Sequence, residues 1–290
     1  ADEHTRVVKI VKNGKVIFSI QKERTGEEEN LSAPDFSLED IWEFIKTADP
    51  VQDLQLVQRS IELNTHIGRQ GLEGNYGLKI GKTIKEGIAK SFYTDDLVYW
   101  AAALTSAASD ARMAGCPTPV MSNTGSGNQG ITATVPVVAV GEKLGADREQ
   151  ILRAVALSHL VTIYIKYCFG RLSALCGATV ASTGASCGIV YLLGGSLEQV
   201  KGAIQNMLGN VTGMLCDGAK IGCALKVSTC TQAAVQSAIF AVRGVVIPQG
   251  QGILGRNAEE SIVNLGRLSG EGTANTDQVI LDLILNNQSA

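Results

Sequence analysis

Residues Leu172–Leu193 read LSALCGATVASTGASCGIVYLL, and this stretch decides the expected fold. Alanine, glycine and small hydroxyl residues dominate it, with apolar residues between them and none of the strict alternation of a half-buried strand. Side chains this small let neighbouring helices approach closely. The stretch therefore predicts a helix that packs tightly against other helices.

Helical patterns continue on both sides of this stretch. Ser37 and Asp40 have the spacing of a capping box, and Asp147 precedes a long apolar segment as a helix cap would. We predict further helices at Leu54–Ile67, from Asp95-Asp96 through the Ala-rich segment to Met113, and at Ile151–Tyr167, Leu197–Leu208, Val227–Val242, Glu259–Leu268 and Thr276–Leu285.

The N-terminal region has a different pattern. Apolar residues alternate across Arg6–Ser19 around Asn13-Gly14, which predicts a β-hairpin. A lone hairpin is marginal in water, so we expect it to complete a small β-containing domain that lies upstream. The charged stretch after it reads as a linker. The expected fold is mainly α (α+β overall), with residues 1–30 as hairpin and linker and residues 31–290 as a large helical domain.

Charge and hydropathy limit the classes of partner. The net charge is -3, and acids and bases are mixed along the chain, so no basic surface predicts nucleic acid or an anionic membrane. The apolar stretches Ile131–Val140 and Ile151–Tyr167 are interrupted by Pro, Arg, His or Lys, and neither reads as a membrane span. We expect a cytoplasmic protein that binds a small molecule.

Cysteines are the first candidate functional residues. The chain has seven, an odd number without an export signal, which favours free thiols or metal ligands over disulfides. Six residues, two of them glycines, lie between Cys216 and Cys223, and Lys220 and Lys226 nearby favour thiolate. This spacing is neither that of a zinc finger nor that of a ferredoxin. Two buried structural thiols remain the alternative, and zinc is a third possibility.

A third thiol could complete an iron–sulfur site. If Leu172–Leu193 is one helix, Cys176 and Cys187 lie about three turns apart on one face, and either could be the third ligand. Three thiolates leave one iron of a cluster without a protein ligand. That iron can act as a Lewis acid toward a substrate.

A Ser/Asn/Gly-rich loop is the second candidate site. Met121–Gly130 reads MSNTGSGNQG and leads into an apolar segment, so its backbone N–H groups lie at a positive helix end that suits a carboxylate or phosphate. Its glycines match a dinucleotide-binding pattern, but the Pro-containing Cys116–Pro119 before it makes a poor central strand. A Gly-rich connection between helices is the alternative interpretation.

Two charged residues and the histidines complete the candidates. Asp110 and Arg112 lie on a small-residue segment and could present an acid and a carboxylate-binding group near one site, although a structural ion pair is the more common outcome. The three histidines share no metal-ligand spacing, and we expect them to be structural or on the surface.

Four motifs in order carry a family resemblance: Ser106–Met113 (SAASDARM), Met121–Ile131 (MSNTGSGNQGI), Arg171–Gly177 (RLSALCG) and Cys216–Lys226 (CDGAKIGCALK). Together they resemble the L-cysteine desulfidase family, which is related to the alpha chain of bacterial iron–sulfur L-serine dehydratases. The resemblance covers essentially the whole chain.

The resemblance implies an oxygen-sensitive [4Fe-4S] cluster held by Cys176, Cys216 and Cys223, which an aerobic preparation can lose. It also implies α,β-elimination of L-cysteine to sulfide, ammonia and pyruvate, with L-serine deamination as the close alternative. The residues that the resemblance suggests for substrate binding are Ser122, Asn123, Thr124, Gly125, Ser126, Gly127 and Asn128 of the loop, together with Arg112 and Arg171.

The family's proposed catalytic base is the cysteine of an N-terminal Gly-Cys-Thr-Glu-Pro motif, which does not occur here. We therefore expect this chain to be the C-terminal part of the family's length, with the base upstream, and to be inactive alone. No general base can be assigned within it. A homo-oligomer is expected from the Gly/Ala-rich helices. The rival hypothesis is a non-catalytic ligand-binding or structural domain with buried cysteines.

Overall fold

The computed structural model describes residues 9–19, 34–170 and 173–287, in two units. The first contains an antiparallel hairpin of β1 (Lys9–Lys12) and β2 (Lys15–Ser19). Asn13 and Gly14 form its turn with φ of 50° and 75°, the left-handed backbone that such a short connection requires. The hairpin prediction is therefore confirmed, while residues 20–33 of the predicted linker lie outside the described residues.

The second unit is helical. In the described part of the chain its helices are α1 (Leu38–Thr47), α2 (Gln55–Glu73), α3 (Ile80–Ala89), α4 (Leu97–Met113), α5 (Gly127–Leu144), α6 (Arg148–Phe169), α7 (Gly177–Leu192), α8 (Leu197–Val211), α9 (Cys223–Val242), α10 (Ala258–Arg267) and α11 (Ala274–Asn287). A π-helical turn, Leu268–Gly272, joins the last two. This confirms the mainly α fold with a β-hairpin.

Capping residues start several of these helices where the sequence predicts. The Ser37 hydroxyl accepts from the Asp40 N–H at the start of α1, and the Asp40 carboxylate accepts from the Ser37 N–H. Asp147 and Gln150 form the same reciprocal pair at the start of α6. These contacts satisfy backbone N–H groups that have no partner within the helix.

The prediction of one helix over Leu172–Leu193 was wrong at its N-terminal end, because α7 begins only at Gly177. Residues just before it are extended and pair with the segment before α9, through an antiparallel bridge between Leu175 and Leu215. This long-range pairing takes the backbone hydrogen bonds that another helical turn would have used. The short helix α3 is a further element that the sequence patterns did not predict.

Glycines allow α6 and α7 to pack closely. A Cβ atom on Gly184 would lie 2.3 Å from the carbonyl oxygen of Ser158, and one on Gly188 would lie 2.5 Å from that of Ala154. No side chain can occupy either position without moving the helices apart. The small residues that predicted close helix packing therefore lie where the two backbones come nearest.

Helix α6 is long and apolar enough to cross a membrane by length and composition. Of its most apolar stretch, 67% is buried inside the helical unit, and the helix packs against α1, α5, α7 and α10. Contact with other helices accounts for the apolar composition.

The N-terminal ends of α5, α7 and α9 lie together. Gln129 in the first turn of α5 contacts Gly177 at the start of α7. Ala178 of α7 forms a buried apolar cluster with Val227 and Cys230 of α9. The N-terminal parts of three helices, whose ends carry partial positive charge, therefore lie near one another.

Candidate functional site

The three cysteines that the family motifs single out lie at this meeting point. Cys176 is the last residue before α7, and its N–H donates to the Met214 carbonyl oxygen (2.7 Å). The Cys216 N–H donates to the Ala174 carbonyl oxygen (2.6 Å), so the two extended segments hold Cys176 and Cys216 on neighbouring strands. Cys223 is the first residue of α9.

The pKa of Cys176 depends on its burial and on the charged groups around it. Burial raises the pKa of Cys176, the negative charges of Cys216 and Cys223 raise it further, and Lys226 opposes the increase. Cys216 is exposed and Cys223 is partly exposed, so the group opens to the surface.

No set of three or more His, Cys, Asp or Glu side chains within the described residues is arranged to hold a single metal ion. Zinc needs four donors that converge on one point. Thiolates of an iron–sulfur cluster bind different iron atoms, so a cluster needs neighbouring thiols rather than donors that converge on one point.

Lys226 connects the charges around these thiols. Its ammonium donates to the Leu215 carbonyl oxygen (2.7 Å) and to the carboxylate of Asp217, which also pairs with Lys220. Burial works against the charged form of Lys226, yet the bond to Asp217 and the nearby thiols raise its pKa overall. The hydrogen bonds from Lys220 and Lys226 lower the pKa of Asp217 to about 2.

Lys166 is a charged residue near this site that the sequence patterns missed. It lies in α6 and is 9% exposed, with its ammonium 4.4 Å from the centre of the Phe169 ring. Burial lowers its pKa to about 8, and the negative charge of Cys216 opposes that decrease. A lysine inside an apolar helix is the signal that could have identified it, because burying a charge is costly unless something favours it.

The other four cysteines have different surroundings. Cys187 is fully buried in α7, its thiol lies 3.3 Å from the Thr183 carbonyl oxygen, and burial raises its pKa to about 12. Burial also raises the pKa of Cys230 to about 12. It raises the pKa of Cys168 as well. Cys116 is partly buried, 3.5 Å from the Thr118 hydroxyl. The prediction that Cys176 and Cys187 share a helical face was wrong, because Cys176 precedes the helix.

The Ser/Asn/Gly loop forms a tight turn before α5. The backbones of Asn123 and Ser126 exchange two hydrogen bonds (3.2 and 3.1 Å), and Thr124 and Gly125 between them have φ of 46° and 85°. The Ser126 hydroxyl accepts from the Gln129 N–H and caps α5. The loop therefore leads into a helix N-terminus, as the sequence predicts.

The loop contacts the cysteine site directly. A Cβ atom on Gly177 would lie 2.7 Å from Nε2 of Gln129, so this side chain covers the residue that follows Cys176. Thr124 donates from its hydroxyl to Oε1 of the same Gln129 (3.2 Å). The Gln129 side chain therefore brings two motifs that are about fifty residues apart in the sequence into contact.

Arg112 and Asp110 turn in different directions. Arg112 packs against the loop, since a Cβ atom on Gly127 would lie 2.3 Å from its Nε, and its Nη1 lies 3.2 Å from the sulfur of Met113. The Asp110 carboxylate instead accepts from the Gly81 N–H (3.0 Å) at the start of α3. The two side chains therefore lie in different surroundings, and substrate binding by Arg112 stays a prediction. Arg171 lies outside the described residues.

Burial sets the ionisation of Asp110. It raises the pKa of this carboxyl to about 6, although backbone N–H groups around Gly81 favour the charged form. The Asp110 side chain is 1% exposed, so it has no access to a substrate from solvent.

Known proteins are similar to this chain over nearly its whole length. The sequence model for the serine dehydratase alpha chain matches residues 12–282. A UPF0597 protein of Oleidesulfovibrio alaskensis is 46% identical over 286 residues, which cover 98% of this chain and 66% of the relative. One from Bacteroides fragilis is 43% identical over 281 residues, covering 97% and 65%. The chain spans about two thirds of the length of these relatives.

Proposed function

The chain belongs to the serine dehydratase alpha chain family, and we propose that it is the cluster-binding part of a cytoplasmic iron–sulfur lyase that acts on L-cysteine. The observation that carries this proposal is the contact between Gln129 and Gly177, which brings the Ser/Asn/Gly loop against the cysteine site. A site for the polar groups of an amino acid then lies beside a site for a metal cluster.

Cys176, Cys216 and Cys223 would hold a [4Fe-4S] cluster. Cys216 and Cys223 reach the surface, and the positive charge of Lys226 opposes the burial that raises the pKa of Cys176. Thiolate is the form that binds iron. When bound, the cluster would supply an iron without a protein ligand, which can polarise a substrate thiol or hydroxyl.

The loop Ser122–Asn128 would orient the amino acid, with Arg112 beside it. Arg112 pairs with none of the carboxylates in the described part of the chain, so its guanidinium is free to bind a substrate carboxylate. L-Cysteine would lose its α-proton and its thiolate to give an aminoacrylate, which takes up water to form pyruvate and ammonia. The base that takes the α-proton is proposed to lie upstream of this sequence.

Anaerobic reconstitution tests the cluster. The full-length protein, supplied with iron and sulfide, should become brown and contain about four iron atoms per chain. Cys216→Ala should abolish this iron content, while Cys187→Ala, at a fully buried thiol, should retain it. A colourless wild-type protein, or full iron content in Cys216→Ala, contradicts the proposal.

L-Serine is the second candidate substrate, because the matching family is described as the alpha chain of serine dehydratase. Sulfide release from L-cysteine and pyruvate formation from both amino acids distinguish the two activities. A higher kcat/KM for L-cysteine supports the desulfidase proposal, and a higher value for L-serine replaces it with the dehydratase.

A further inference from the structure

A buried polar cluster supports the Ser/Asn/Gly turn. It consists of Ser60 and Asn64 from α2, Thr134 from α5 and His159 from α6, and we call it the turn-support cluster. The two hydroxyl oxygens lie 2.7 Å apart, and Nε2 of His159 lies 3.1 Å from Ser60 Oγ and 3.0 Å from Thr134 Oγ1. Asn64 holds the backbone N–H and carbonyl of Met121 (2.9 and 3.1 Å).

Counting donors assigns the protons in this cluster. The Thr134 hydroxyl donates to the Gly130 carbonyl oxygen (2.7 Å), so it must accept the proton of Ser60. Both hydroxyl protons are then used, and Nε2 of His159 has to donate. Nδ1 therefore carries a lone pair. Burial lowers the pKa of His159 to about 4, which keeps the ring neutral at pH 7.

This assignment orients Asn123 in the turn. Its side chain lies 2.8 Å from Nδ1 of His159, and because Nδ1 accepts, the amide must present its NH₂ group to the ring. Oδ1 then points away from His159. Asn123 is 4% exposed, and its Oδ1 has no hydrogen-bond partner among the described residues.

An unpaired, buried acceptor is costly, and one held this firmly is suited to a ligand that donates. The backbone next to it supports the same conclusion. Thr124 is β-branched and has φ of 46°, a conformation that such residues rarely adopt and that is concentrated at ligand-binding sites.

We propose that His159 positions Asn123 so that Asn123 Oδ1 accepts a hydrogen bond from the α-ammonium group of the amino-acid substrate. The assignment rests on the proposed function and adds to it. A carbonyl oxygen cannot bind the carboxylate, and the ammonium is the strong donor of an amino acid. Asn123 contacts the substrate, and His159 is a positioning residue.

A pair of ligands isolates this contact. L-Cysteine and 3-mercaptopropionate share a thiol and a carboxylate, but only L-cysteine has an ammonium group. The KM for L-cysteine and the inhibition constant of 3-mercaptopropionate are measured anaerobically on the full-length holoprotein, for wild type, His159→Gln and Asn123→Ala. His66→Gln, at an exposed histidine of α2, is the matched control. Iron content and Tm are recorded for each variant.

In both His159→Gln and Asn123→Ala, L-cysteine should bind about tenfold more weakly, because a hydrogen bond to a charged group is lost. Both variants should bind 3-mercaptopropionate as tightly as the wild type does. The control His66→Gln should bind both ligands at wild-type levels. Asn123→Ala keeps the turn-support cluster intact, so it provides the test even if His159→Gln does not fold.

The assignment is overturned if the folded Asn123→Ala variant binds both ligands equally more weakly, or binds both as tightly as wild type. Either result leaves the proposed function standing. A wild-type holoprotein that binds neither ligand overturns the proposed function and this assignment with it. Selective loss of L-cysteine binding supports both.

Discussion

Lys226 and Asp110 show how neighbours decide what burial does to a charged residue. Burial disfavours the charge of Lys226, but Asp217 and the nearby thiols raise its pKa overall. At Asp110, backbone N–H groups favour the charge, but burial dominates and the pKa rises to about 6. Lys226 therefore remains a cation beside the candidate cluster site. Ionisation of Asp110, in contrast, destabilises the folded protein.

The pH dependence of stability provides a test of Asp110. Its pKa in the folded state, about 6, lies above the ordinary carboxyl value of 3.8, so the folded state binds more protons between these values. The free energy of unfolding that Asp110 contributes therefore falls as the pH rises through about 6. Urea unfolding between about pH 4 and pH 7 should show this decline, which levels off above about pH 6, in wild type and less of it in Asp110→Asn. Asp282→Asn, at an exposed carboxyl, should match wild type.

Replacing Lys226 should weaken iron binding. Lys226→Met removes the bond to the Leu215 carbonyl oxygen and the positive charge beside Cys176 and Cys216. We expect iron to be lost to a chelator at about tenfold lower chelator concentration, the effect typical of residues that orient metal ligands. Lys46→Met, at an exposed position of α1, is the control. Unchanged iron retention in Lys226→Met would show that this charge does not support the cluster.

At the scale of elements, the candidate site residues lie at the ends of helices, and backbone contacts between helices determine how far apart those helices lie. Cys176 and Cys223 stand at the starts of α7 and α9, and the Ser/Asn/Gly turn stands at the start of α5. Glycines keep α6 and α7 in backbone contact behind them. Because tightly packed helices move little, the positions of these ends depend on the packing.

The contact between α6 and α7 can be tested with Gly188→Ala. The added methyl group would lie 2.5 Å from the Ala154 carbonyl oxygen, so the helices must separate, and we expect a loss of about 1–3 kcal/mol in the free energy of unfolding. A Cβ atom at Gly213 meets nothing within 4 Å, so Gly213→Ala should be neutral or slightly stabilising. Equal stability of the two variants in urea unfolding contradicts the packing argument.

For the whole helical unit, burial is unevenly distributed. Nearly every residue from Gly127 to Gly141 in α5 and from Ala178 to Val190 in α7 is buried, whereas α11 has no buried residue. Apolar side chains of α11, including Leu281 and Leu285, are more than half exposed. Central helices of this kind open only when the whole unit unfolds, and a helix with so few contacts opens locally.

Hydrogen exchange followed by mass spectrometry tests this distribution. Amides of α5 and α7 should exchange only at the rate of global unfolding, and those of α11 should exchange much faster under the same conditions. The α9 peptides, which contain many buried residues, serve as an internal reference for slow exchange. Equal protection of α11 and α7 would show that a partner covers α11.

Much of the fold was predictable from the sequence because its signals are local. The Asn13-Gly14 turn, the caps at Ser37 and Asp147, and the small residues of α7 each depend on contacts within a few positions or on side-chain size alone. The assignment of Cys176, Cys216 and Cys223 as cluster ligands stays a prediction. Its basis is the resemblance, since spacing alone left Cys187 as an equal candidate.

Only the tertiary structure decided how these elements meet. The start of α7 depends on pairing between Leu175 and Leu215, the direction of Asp110 depends on α3, and the contact from His159 to Asn123 crosses 36 residues. Local propensity carries no information about such partners. Hydrogen bonds between distant segments form only when packing of the whole unit brings them together.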